Sequence, residues 1–153
     1  MNETLLLGSA IGAIVGVVLA IPGIILESSR RTKNLPLIID VKEIWGKKLT
    51  DNEVFLVSLL MHLVFSTLAG TIYVLFAENG WLFVTGAPYA FHSIEIFAVF
   101  AWAVTGAILY PILGFGFFGR KEGAHIWFEM LVTQLLLGVL FWLAVSYYQP
   151  YFF

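Results

Sequence analysis

The sequence predicts an all-α polytopic membrane protein: four transmembrane helices in a bundle, forming a single domain over residues 1–153. Three observations carry that prediction. The chain is 60% hydrophobic and only 12% charged, with a mean hydropathy of +0.93, whereas a soluble domain carries about 25% charged residues. Its apolar residues fall in four blocks of the length that crosses a bilayer, which takes about 20 residues. These blocks cover approximately 4–26, 54–77, 96–118 and 126–148. Finally, all 8 Lys and Arg residues lie in two of the connections between blocks.

That charge distribution sets an orientation. Arg30, Arg31, Lys33, Lys42, Lys47 and Lys48 follow the first span, and Arg120 and Lys121 separate the third from the fourth. The N-terminus, the segment 78–91 and the C-terminal tail carry no basic side chain. Positive charge resists translocation, so both basic loops are expected on the cytoplasmic side of a plasma (inner) membrane, with both termini outside. The aromatic outer loop "ENGWLFVTGAPYAF" and the tail "SYYQPYFF" suit a membrane interface.

The first span carries Gly8, Gly12 and Gly16 four residues apart, a GxxxGxxxG face on which another helix backbone can approach closely. It has no basic leader and exceeds a signal-peptide core, so it reads as a retained helix. Pro22, followed by Gly23, is expected to loosen its cytoplasmic end. In the basic loop, "PLIIDVKEIWGKKL" spaces Leu37, Ile38, Val41, Ile44, Trp45 and Leu49 as a short interfacial amphipathic helix would. Thr50 and Glu53 then form a capping box for the second span. Ser58, His62, Ser66 and Gly70 recur every four residues along that span.

His92 and Glu95 stand at the outer start of the third span. Pro111 is expected to kink it, because proline cannot donate to the carbonyl of Ala107. Gly114, Gly116 and Gly119 would continue it as a bent, closely packed half-helix. The fourth span repeats the polar spacing with His125, Glu129 and Thr133, beside Gln134, and adds Gly138. A weak internal repeat relates "AIVGVVLAIPG" to "AVTGAILYPILG" and "LVFSTLAG" to "LVTQLLLG", aligning Gly70 with Gly138. Two parallel helix hairpins would produce that pattern.

The ionisable residues within the spans define an inner polar layer. A carboxylate facing lipid costs a few kcal/mol, so Glu129 is expected to turn inward and meet His62, with His125 at the headgroup level. Three readings are compatible with that layer. One is a buried polar clamp that fixes helix register. Another is a proton or ion path lined by His62, Glu129, His125, Ser66 and Thr133. The third is a zinc or iron site drawing on His62, His125, Glu129 and Glu27, since imidazole and carboxylate suit those metals. A bis-histidine haem is disfavoured because His62 and His125 differ in depth by about 12 Å at 1.5 Å per residue.

Cysteine is absent from the sequence, so no thiolate ligand or disulfide is available. The sequence contains no phosphate-binding glycine loop, HExxH or G-x-S-x-G motif. Nothing in the basic residues forms a nucleic-acid patch. No cofactor and no enzymatic activity are expected.

The order of "SLLMHLVFSTLAGTIYVLF" (58–76), "YPILGFGFFG" (110–119) and a glycine-containing last span resembles a family of uncharacterised bacterial four-helix integral membrane proteins. The resemblance implies a four-helix membrane fold over most of the chain and carries no activity with it. Glu129 and the charged, Trp-bearing first loop depart from that pattern. The resulting expectation is a non-enzymatic membrane component, acting as a homo-oligomer or as an accessory subunit in contact with lipid and other membrane subunits. The alternative is a small proton or metal-ion transporter or channel with the inner His/Glu polar layer as its path.

Overall fold

The computed structural model describes residues 3–28, 38, 40–81 and 86–152, with side chains left out at 26–28 and 149–152. Helix α1 (Glu3–Ser28) is followed by a minimal hairpin, β1 (Glu43–Ile44) and β2 (Lys47–Lys48), and then by α2 (Asp51–Glu78). Helix α3 (Phe91–Val104) continues through a π-helical turn, Thr105–Leu109, into α4 (Tyr110–Leu113). A 3₁₀ turn at Phe117–Gly119 leads to α5 (Ile126–Phe152). Four helical segments are long and apolar enough to cross a membrane: Glu3–Ile25, Asp51–Glu78, Phe91–Leu113 and Ile126–Tyr148.

Helix α1 lies along α2, and α3 lies along α5, with α1 also touching α5. The glycine face of α1 is what allows the first pairing. A Cβ on Gly12 would meet the backbone of Ser66 and Thr67, and one on Gly8 would meet the carbonyl of Gly70 and the Val74 side chain. With those Cβ atoms absent, the two backbones come into direct contact. Polar links reinforce them: the Ser9 and Thr71 hydroxyls are 2.7 Å apart, and Thr4 donates to the carboxylate of Glu78. All four spans contribute to the main apolar core, including Ile11, Val15, Val74, Ile94, Leu137 and Val145. At its centre the Tyr73 ring packs edge-on against Phe97 and Phe141.

Two expectations are corrected. The described part of the first loop is a hairpin and contains no amphipathic helix; Leu37 lies outside the described residues. Its apolar spacing also suits a strand, and Trp45 (φ 46°) and Gly46 (φ 84°) take left-handed conformations in succession. Two such residues make the tight loop that matches strand twist, and they place Glu43 opposite Lys48.

The third span covers 91–113 in place of 96–118. Hydropathy counts "GFGFFG" as membrane helix, but Gly114 turns left-handed (φ 92°) and ends it. Gly116 and Phe118 also have positive φ, so this segment folds back instead of extending the helix.

Next to Pro111 the helix passes through a π turn. The Tyr110 N–H reaches back five residues to the Thr105 carbonyl, a one-residue bulge that accommodates the helix next to a proline lacking its donor. Pro22, by contrast, lies within α1, which continues to Ser28.

Candidate functional site

Helix α2 presents its polar row to the protein interior. Ser58 and Ser66 are each only 2% exposed, and His62 lies between them, half-buried. The His62 Nε2–H donates to the Gly16 carbonyl at 3.0 Å, tying α2 to α1. Ser66 Oγ donates to the carbonyl of His62 at 2.8 Å, and Thr133 Oγ1 to that of Glu129 at 2.9 Å. Each hydroxyl therefore satisfies itself on its own helix, one turn back.

These residues border a chamber between α2, the π turn and α5. Its walls include Ser58, His62, Ser66, Thr105, Thr133 and Gln134, with Met61, Phe65, Met130 and Leu137 as apolar lining. Val41 from the hairpin segment, with Tyr110 and Phe115, completes it near the end from which α2 begins. The chamber offers about 50 Å³ of room for water centres. The Gln134 Oε1 is buried and has no hydrogen-bond partner among the described residues. An unpaired buried acceptor costs about 1–3 kcal/mol, so this atom demands a donor.

Glu129 does not join His62. It stands exposed on α5 with His125, and the two border a separate surface cavity of about 140 Å³ with Asp40, Lys42 and Glu122. The inward position is taken by Met130, 2% exposed. One residue on a helix is a rotation of about 100°, enough to turn Glu129 away. The expected four-ligand set is accordingly dispersed: His62 lines the inner chamber, His125 and Glu129 lie at the surface, and the Glu27 side chain lies outside the described residues. Among the described residues no group of three His, Asp or Glu is placed to hold a metal ion.

The burial of two further polar groups escaped sequence reasoning. Glu95 lies in the second turn of α3, with its Oε1 buried and unpaired among the described residues. It occupies the space over Gly138, where a Cβ would come within 2.6 Å of that oxygen. Placing the third span at 96–118 left Glu95 outside the apolar block and hid its burial. Tyr73 Oη is likewise buried without a partner among the described residues. The aromatic cluster of Tyr73 and Phe141 lies beyond the chamber toward the C-terminal ends of α2 and α5.

No family model, curated protein or solved structure matches the chain.

Proposed function

We propose that this is a non-enzymatic, multi-pass plasma-membrane protein that works in an assembly of transmembrane subunits, a second copy of the chain being the first candidate partner. The observation carrying this reading is the position of Glu129, exposed on the first turn of the fourth span beside exposed Trp127 and Phe128. Glu129 borders an open polar cavity with His125, Lys42 and Glu122, so its carboxylate is open to a donor from a neighbouring subunit seated on that face. His62 has the role of a register clamp, bonded to the α1 backbone. Both termini outside, with the two basic loops cytoplasmic, is the orientation favoured by the charge distribution. The pairing of α1 with α2 and of α3 with α5 is in keeping with a duplicated hairpin and a four-helix bundle. The likeness to four-helix bacterial membrane proteins agrees in helix number and adds no activity.

Native mass determination of gently solubilised wild type and Glu129→Leu tests the reading. A discrete oligomer or co-purifying subunit, weakened in the variant, is expected. A monomer without partner at every detergent concentration refutes it.

The second reading, a small proton or metal-ion carrier, rests on the polar chamber around His62. Among the described residues the chamber has no carboxylate in its lining. Elemental analysis separates the two readings: stoichiometric zinc or iron that disappears in His62→Ala would put the carrier first.

A further inference from the structure

We propose that the chamber beside His62 binds a few uncharged, water-sized hydrogen-bonding molecules, and that the β1–β2 hairpin is the plug that closes it at its cytoplasmic end. Three properties define the ligand class. The room of about 50 Å³ holds about three to five molecules when each needs about 10–15 Å³. The wall carries His62, Thr105 and Gln134 among its polar side chains, so an occupant that exchanges hydrogen bonds is matched and an apolar one is not. Among the described residues no Asp, Glu, Lys or Arg lines the chamber, so an ion would enter it without a counter-charge from them. Water is the smallest molecule meeting all three requirements.

The plug rests on few attachments. Val41, 4% exposed, forms part of the chamber wall and donates its N–H to Ser58 Oγ at 2.8 Å. Its neighbour Lys42 donates a backbone N–H to Glu122 Oε2 at 3.0 Å. At the hairpin tip the Trp45 indole, in a residue 75% exposed, donates to the Ile112 carbonyl at 3.2 Å. This bond and the approach of the Trp45 backbone to Gly114 hold the tip, so removing the indole loosens the segment whose Val41 seals the chamber.

The cysteine-free chain is a ready background for thiol labelling. A cysteine reacts as its thiolate, which requires hydration. N-ethylmaleimide, larger than the chamber, therefore reports both water and opening. The cysteine is placed by Thr105→Cys in the chamber wall or by Leu68→Cys on the outer face of α2, each in wild-type and Trp45→Ala backgrounds, in inside-out vesicles. Thr105→Cys is expected to react faster than Leu68→Cys, and about tenfold faster again with Trp45→Ala, the equivalent of one lost hydrogen bond. Ser66→Cys on the facing wall serves as the second probe if Thr105→Cys misfolds. Chamber cysteines no faster than Leu68→Cys in both backgrounds would overturn the binding site. Fast labelling unaffected by Trp45→Ala would overturn the plug.

Discussion

Adding one methyl group at Gly12 is expected to destabilise the protein, although alanine is the better helix former. The new Cβ would meet the Ser66 carbonyl oxygen and stand 3.2 Å from both the Ser66 carbonyl carbon and the Thr67 Cα. Carbon pairs prefer about 3.5–4.0 Å. All three contacts are backbone, so no rotamer change relieves them, and α1 must move off α2 along its packed face. Overpacking of this kind costs about 1–3 kcal/mol, while replacing a helical glycine with alanine returns about 0.5–1 kcal/mol. The net expectation is a loss of about 1–2 kcal/mol, near tenfold in the folded-to-unfolded ratio. Gly16→Ala provides the contrast. Its Cβ meets the Ser66 Cβ at 2.7 Å and Oγ at 2.9 Å, both side-chain atoms. Ser66→Gly should therefore rescue Gly16→Ala and leave Gly12→Ala unrescued. Reversible unfolding in mixed micelles measures all four variants. Gly12→Ala within 0.5 kcal/mol of wild type, or rescued by Ser66→Gly, would refute the backbone-contact argument.

Other expectations follow from the same geometry. His62→Ala loses the bond to the Gly16 carbonyl and should cost about 1–3 kcal/mol in the same unfolding assay. Gly138→Ala drives a Cβ toward the Glu95 carboxylate, so Glu95→Ala should restore stability in the double variant; an additive double variant would mean that the two do not touch. Gly114→Ala forces a side chain onto φ 92° and should lower thermal stability by about 1–3 kcal/mol, followed through tryptophan fluorescence. Burial, and then the negative charge of Glu78, raise the Tyr89 phenol above its ordinary value. The unfolded chain therefore releases this proton first, and the stabilisation by the neutral phenol, complete below about pH 10, declines as pH rises beyond it. Tyr89→Phe should flatten that part of the stability profile.

Hydropathy alone made the four helices legible, because length and polarity are properties of each segment by itself. The capping box was legible for the same reason, and Glu53 accepts from both the backbone and the hydroxyl of Thr50. Failures came where two signals competed. "IIDVKEIWGKK" carries apolar spacing that suits helix or hairpin, and the decision rests on two left-handed residues that periodicity does not register. "GFGFFG" is as apolar as a membrane helix, yet its glycines favour turns. The site was half legible: Ser58, His62 and Ser66 face inward as their spacing implied, but Glu129 was assigned by cost alone. The rotation of α5 depends on which of Glu129 and Met130 packs better against Tyr110 and Phe115, a matter of three-dimensional contacts that no single segment encodes.

The π turn has a consequence for how much chain length this fold tolerates. Five residues turn a regular α-helix by about 500°, which would leave Tyr110 about 140° away from the face holding Thr105. At about 4.4 residues per π turn the same five rotate about 410°, so both residues stay buried on one side. Four residues in regular α-helix rotate about 400°, nearly the same angle. Deleting Ala107 should therefore convert the bulge into ordinary helix while Tyr110 keeps its place, a one-residue shortening that neither α2 nor α5 can absorb at mid-span.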